Sequence, residues 1–490
     1  MFRQEVGIVK KLLITLMGAL LIAGCGSSSS STAPDIQPPP TTDIVTTGTI
    51  TGFGSVIANG IEFNTDTATV TMNGEPGNLS DLRVGMMVSI RGTVNNETGA
   101  AVASQIMFSH EAEGPVRNIN MFQNRFVVLG QTVMVDELTV FDDMSLDNMA
   151  DGNMVRVSGH WRSQERIQAT HVNRIADAYA LGMMMKVKGE ISQLNTATQQ
   201  FNIGTQPCDY SAASLELGAA DLANGLYVDV FSSSPMSNGD MLLDRVQAKD
   251  RDRDRDQLCD SDCDFEIEGY VTSFTSVTEF EVDGQPVTTT DTTTYVNGTV
   301  DTLALDVKLA VDGVMDEAGV LVADRIVFRF PSLVEIEADI EAIDTTAASV
   351  TLLGINVTTD ESTLFRDHGS AGIVDFGFDD LVVGDRTEAR AYLDEAVVVA
   401  TRLERDDPDD DVTLKAPVET IAQPNVTLLG VLVATDQNTV FQNEAQEVID
   451  ADTFFALLKE GSIVKAQGIY DGASILASKL FLRDCEQSCM

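Results

Sequence analysis

Positively charged side chains are scarce in this 490-residue chain: 31 Lys and Arg stand against 75 Asp and Glu, a formal net charge of −44. A surface of that balance repels phosphate backbones, which argues against nucleic acid as a partner. Aromatic residues are few as well. One tryptophan, Trp161, and seven tyrosines supply little of the stacking surface on which single strands are held. The four histidines (His110, His160, His171, His368) form no His-x-x-x-His pair, and they fall at unrelated positions of the repeat described below. No HExxH, Gly-x-Ser-x-Gly or phosphate-loop signature is present. Gly369-Ser-Ala-Gly372 is too short for a nucleophile turn and reads as a loop. Carboxylates are so numerous that no single pair identifies itself as acid and base. Nothing here points to catalysis.

Long apolar runs are also missing. Leu12 to Ala23 is about a dozen residues, short of the roughly 20 that span a bilayer. It follows Arg3, Lys10 and Lys11 and ends Leu21-Ile-Ala-Gly-Cys25. That arrangement reads as a signal peptide over 1–24. Its end resembles the lipobox of bacterial lipoprotein precursors, which implies a diacylglyceryl anchor on Cys25; an ordinary export signal with a chance cysteine is the alternative. Gly26 follows the cysteine where the inner-membrane retention signal has Asp, so the implied place is the outer membrane, periplasmic or surface-facing. Residues 25–47 are rich in Ser, Pro and Thr and are expected to form a disordered tether.

Removing the signal leaves 28 Lys plus Arg against 74 Asp plus Glu, or −46. Two acidic stretches mark linkers: 250–264, which alternates Asp and Arg before Asp260-Ser-Asp-Cys-Asp264, and 406–411. Asp260, Asp262 and Asp264 have a spacing that suits Ca²⁺. However, Phe265 stands where an EF-hand loop has glycine, and the neighbouring arginines neutralise the run, so a solvated linker is preferred. No other cofactor is expected. Of the five further cysteines, Cys259/Cys263 and Cys485/Cys489 share one spacing and are the candidates for disulfides. A local bridge closing so short a loop contributes about 2 kcal/mol. Metal binding by these pairs is the alternative, disfavoured by the lack of nearby histidine. Cys208 occupies a slot filled by valine elsewhere in the repeat and reads as a core thiol.

What the chain has in abundance is repetition. Four landmarks recur six times in a fixed order. A small residue, any residue and an aliphatic one come first, as in Gly114-Pro-Val116. An apolar pair seven apart with an intervening glycine comes second: Val56/Phe63, Phe126/Val133, Phe201/Cys208, Phe280/Val287, Val350/Val357 and Val426/Val433. Glycine between two β-rich runs predicts a hairpin. The third landmark is a short apolar pattern ending in glycine, such as Leu79, Leu82 and Gly85; it predicts a short helix that stops at the glycine. The last is a strand such as Ala169-Thr-His-Val172. Strand, strand, strand, short helix, strand, strand is the order of a five- to six-stranded OB-like small barrel, with a small antiparallel β-sandwich as the alternative. The copies are placed at 48–110, 111–176, 185–249, 265–330, 335–405 and 412–484, with a cysteine-containing tail at 485–490. Copy three departs by its early Gly204 and by Phe231-Ser232, and copy four by Asp306 where others have glycine.

On these landmarks the chain resembles bacterial envelope lipoproteins built from tandem copies of an OB-like domain of unknown function. The resemblance implies architecture and brings no catalytic residues. The expected role is therefore that of a non-catalytic, all-β binding or structural protein of the cell envelope, whose partners are the membrane, through the lipid, and an envelope protein or polysaccharide. Divalent-cation binding by the acidic linkers is one alternative, and an envelope enzyme with a site between copies is another. Short joins at 109–113 and 329–335 predict that neighbouring copies pack, copies one and two among them. Trp161, at the end of a strand, is expected to be partly buried. The anchor reading is checked by fractionation: Cys25→Ala should move the protein from the membrane to the soluble fraction without altering its fold, and wild-type protein carrying no lipid mass would refute it.

Overall fold

A chain rich in Val and Thr, and punctuated by Asn-Gly, Asp-Gly and Leu-Gly, satisfies its backbone groups by folding into hairpins. The computed structural model describes residues 40–483 other than 54, 137, 164, 219–220, 237–238, 249–262, 331, 361–362, 371, 374–375, 395 and 444–446. In it the hairpin turns of five copies place two successive residues at positive φ: Asn59-Gly60, Leu129-Gly130, Asp283-Gly284, Leu353-Gly354 and Leu429-Gly430. These are the turns whose twist suits a tight hairpin. All six apolar pairs seven apart lie directly opposite one another across these hairpins.

Copy two shows the plan. Its first strand (Ala112–Asn120) leads into the hairpin strands Arg125–Val128 and Gln131–Met134. A short strand (Val140–Asp142) and a single 3-10 turn (Leu146–Asn148) follow, then the long strands Met154–Ser163 and Arg166–Ala176. The third strand runs parallel to the fifth, with Val133 beside Ile167. The fifth is antiparallel to the fourth and the fourth to the first, so the sheet closes in the order 1-2-3-5-4-1. That is a closed five-stranded barrel of OB-like topology, not a sandwich. Closure removes the open edges that invite aggregation, apart from half of one edge of the first strand.

The helical plug is smaller than its spacing suggests. Among the described residues it is one 3-10 turn in copies one, two, four and five (Leu79–Asp81, Leu146–Asn148, Val300–Thr302, Phe378–Asp380), and an α-helix in copy six (Ala451–Leu457). The apolar residue after each turn fills the barrel end: Leu82, Met149, Leu303, Leu381 and Leu458 are all buried. Asp306, which replaces glycine in copy four, adopts the same left-handed backbone, with φ +70°. Copy three closes by the same pairings as the others. Its fourth strand, however, stops at Ser232. It thus lacks the bulge that four other copies place at Gly92, Gly159, Gly313 and Gly468, where a Cβ would come within 2.0–2.4 Å of the fifth-strand carbonyl.

The barrels are joined by their first strands. In copy one, Thr41–Gly52 pairs with its own fourth strand along one edge, and the far half of the other edge pairs with its second strand. The near half is left over, and Ile44–Thr47 pairs in parallel with Asp264–Ile267 of copy four. Copies two and three join antiparallel in the same way, Ala112 and Glu113 against Val187 and Lys186. Copies five and six join through Glu335–Glu337 against Thr413–Lys415. Three continuous sheets of 12, 13 and 14 strands result.

This arrangement corrects two expectations. The first strand begins at Thr41, inside the stretch read as a tether. Its threonines look like linker composition, but Ile44 and Val45 are buried, and Val45 enters the core of copy four. Residues 406–411 are likewise not a free separator. Asp406 ends a strand, Asp407 accepts from Ser370 N at 2.8 Å, and the Asp411 carbonyl accepts from Arg386. Copies one and two do touch, with Met87 N donating to Ser158 Oγ at 2.8 Å. The continuous cores, however, unite copy two with three and copy five with six. Among the described residues no helix is long and apolar enough to cross a membrane.

A fragment spanning copies two and three, 112–248, should therefore melt in one cooperative transition. Phe126, fully buried against that shared core, should cost about 3 kcal/mol on truncation to alanine. Two separate transitions by calorimetry would show the copies to be independent.

Candidate binding site at the barrel joints

Where two first strands meet, their outward side chains have nowhere to go but into the joint. The residues one and three places before the small landmark residue are Glu113 and Glu111 in copy two, Lys188 and Lys186 in copy three, and Glu268 and Glu266 in copy four. In copy five they are Glu337 and Glu335, and copy six has Lys415 and Thr413. Acidic strands thus meet basic ones at two of the three joints. A buried charge persists only with a partner, and partners are present. Lys188 Nζ lies 2.8 Å from Glu111 Oε1, and Lys186 Nζ lies 3.1 Å from Asp229 Oδ2. Glu335 holds Arg390 and Lys465, each at 2.7 Å. Glu268 meets Lys308 at 2.7 Å and His160 at 3.3 Å.

The joint of copies two and three opens into a cavity of about 230 Å³ lined by residues of copies one to four. Met87, Met107, Phe108 and Trp161 give it apolar walls, and Glu111, Lys188, Asp229 and Asp283 bring charge. Trp161 is 7% exposed, more buried than its strand-end position suggests. Its Nε1 donates to Glu111 Oε2 at 2.6 Å, and its backbone N donates to Asp283 Oδ1 at 3.1 Å. One carboxylate oxygen, Asp229 Oδ1, is buried without a hydrogen-bond partner.

Asn73 organises the polar floor. It sits in the Asn73-Gly74 turn at positive φ, and its Oδ1 accepts from His110 N at 3.1 Å and Lys186 Nζ at 3.2 Å. Lys186 also donates to Ser109 Oγ and to the His110 carbonyl. Burial lowers the Lys186 ammonium to about 8, even with Asp229 beside it. Burial also works against charge on Lys188, but Glu111 and Asp229 outweigh it and hold that ammonium above its ordinary value. Burial, with Arg156 and Lys186 nearby, pushes the His110 imidazole well below the usual histidine range.

The residues singled out from sequence are not brought together. Cys25, Cys259, Asp260, Asp262, Cys485 and Cys489 lie outside the described residues. Cys263 is buried and disulfide-bonded. Cys208 is free and fully buried opposite Phe201, and burial pushes its thiol up to about 12. Asp264 is exposed at the head of copy four's first strand; partial burial, then Asp324 and Asp312, raise its carboxyl. The described residues with a metal-ligand arrangement are others: His368, Glu404 and Asp406. His368 Nδ1 is 2.9 Å from Asp406 and 3.4 Å from Glu404. Glu404 is already met by Arg366 at 3.6 Å and Arg402 at 3.3 Å, so this group is a charge network with its carboxylate committed to arginine.

With this geometry in place, the comparison with known proteins is decisive for family alone. Residues 45–107, 113–173, 268–327, 337–404 and 415–480 each match the domain of unknown function DUF5666. The chain belongs to that family. None of the curated proteins matches it. The copy at 185–249, which the DUF5666 matches pass over, is the one with the displaced glycine and the truncated fourth strand, yet it forms the same barrel. Three of the four histidines, scattered in the repeat, lie in space at contacts between barrels, and the fourth, His368, meets only Glu404 and Asp406 beside it in copy five. The His110 carbonyl accepts from Lys186 of copy three, His160 meets Glu268 of copy four, and His171 meets Asp142, which also holds Arg366 of copy five.

A pH prediction follows from His110. Its folded pKa is depressed, so below about 6.5 the unfolded chain takes up a proton that the folded chain refuses. The stability present above that pH is lost as pH falls, by at most about 1.4 kcal/mol per unit. Urea melts at pH 7.5 and 5.5 should therefore differ less for His110→Gln than for wild type.

Proposed function

We propose that this protein is a lipid-anchored, non-catalytic binding protein of the cell envelope, and that its ligand seat is the cavity among copies one to four. The Leu21–Cys25 pattern supports the anchor. The want of any nucleophile or metal-hydrolase signature supports a binding role. The observation that carries the ligand reading is the unpartnered Asp229 Oδ1 at the wall of a 230 Å³ cavity, because a buried acceptor left unmade is costly until a donor reaches it.

The ligand class follows from charge. Glu111, Asp229 and Asp283 line the cavity against Lys188, with Lys186 behind Asp229, which leaves the site acidic. Trp161 and Phe108 add aromatic surface, which favours a cation beside an apolar body. The reading is therefore a small organic amine whose ammonium donates to Asp229. The net charge of −44 concentrates such cations around the molecule.

Thermal melts of the full mature chain with primary amines, set against alcohols of matched shape, test this. Amines should raise the melting temperature saturably and alcohols should not. Asp229→Asn should weaken the amine effect about tenfold, the scale of one charge-assisted hydrogen bond. Equal response to both series would sink the reading.

A further inference from the structure

A second cavity lies where copies one, two, four and five meet, and its chemistry is opposite in sign. It measures about 90 Å³, room for about three waters or one small ion. Thr49 and Thr51 come from copy one, Leu138 and Thr170 from copy two, Glu268, Lys308 and Arg329 from copy four, and Tyr392 and Thr401 from copy five. Phe330, 43% exposed, marks where the cavity meets solvent.

The hydrogen bonds around it are unevenly used. The Thr51 hydroxyl donates to the Ile57 carbonyl at 3.5 Å, and that of Thr401 to the Arg390 carbonyl at 3.0 Å. Thr49 Oγ1, Thr170 Oγ1 and Arg329 Nε make no hydrogen bond, although all three atoms are buried. Thr49 is 7% exposed, so solvent does not satisfy it from outside. Unmade donors of this kind are costly and call for an acceptor.

The charges agree with the donors. Lys308 and Arg329 line the cavity against one carboxylate, Glu268. Glu268 is engaged by Lys308 at 2.7 Å and by His160 at 3.3 Å, while Arg329 Nε stays 4.0 Å away. Two cations facing one carboxylate leave a surplus positive charge, in a chain where carboxylates outnumber cations by more than two to one. From this we infer that the junction of copies one, two, four and five is a binding site for a small oxyanion, a phosphate or carboxylate group, held by Arg329 Nε and the hydroxyls of Thr49 and Thr170. The arginine supplies the charge-assisted bond, and the threonines fix the remaining oxygens. This site is independent of the amine cavity, whose lining residues it does not share.

The test is a titration of the full mature chain with inorganic phosphate and with acetate, each against chloride at equal ionic strength, followed by melting temperature. Saturable stabilisation by phosphate alone would mark a tetrahedral ligand, by acetate alone a planar one, and by both an oxyanion site of broad choice. Thr49→Val and Arg329→Lys should each weaken the response about tenfold, the second while keeping the charge. Thr170→Val takes the place of Thr49→Val if that variant does not fold. Chloride acting as well as either oxyanion, or a response untouched by these substitutions, would overturn the site and leave the cavity to water.

Discussion

The molecule depends on the unpaired half-edge of each barrel's first strand. An OB-like barrel closes with its first strand serving two neighbours, the fourth strand along one edge and the second along only the far half of the other. This leaves a few backbone N–H and C=O groups without partners on one side. Exposed, they would be a template for association; buried unpaired, they would be costly. In this chain they are spent on each other, as in Ile44–Thr47 with Asp264–Ile267 and Glu335–Glu337 with Thr413–Lys415. Everything else about the joints follows, including the shared cores and the cavities where barrel ends fail to fill space.

The joints also explain where the scarce cations go. Lys186, Lys188, Lys308, Arg386, Arg390 and Lys465 all lie against carboxylates at or beside contacts between barrels. A surface of like charge repels itself. Concentrating cations inside the assembly sets attraction where desolvation makes each partner indispensable, and leaves the outside acidic. Such pairs add little net stability over an apolar contact, but removing one partner is severe. They therefore select which strand meets which more than they strengthen the meeting.

Much of the single barrel was legible in the sequence. The apolar pairs seven apart fell opposite one another because a two-residue turn fixes hairpin register, and the glycine after the plug was at positive φ in copies one, two, three, five and six. The assembly was not legible from those landmarks. Thr41–Thr47 has the composition of a linker, and only its pairing on both edges makes it a strand. The signal that was present lay in the alternation of Glu111/Glu113, Lys186/Lys188 and Glu335/Glu337 on strands whose intervening residues are apolar. Charge on the outer face of a short strand reads as solvent exposure until a strand of opposite sign is identified as its neighbour. The histidines were missed for the same reason, since contact between copies obeys no position within a copy. Cys208 was legible because burial opposite Phe201 is a property of its own hairpin.

The pairing of copy one with copy four has a consequence for the order in which the chain acquires structure. Thr46 and Glu266 are 220 residues apart, whereas the joints of copies two with three and five with six link neighbours. Contacts of such separation carry a large loop-closure entropy and form late. During synthesis, copies two and three are complete and can dock before the partner strand of copy one has emerged. Copy one, made before the other five, thus keeps one edge of its first strand open until the first strand of copy four has emerged.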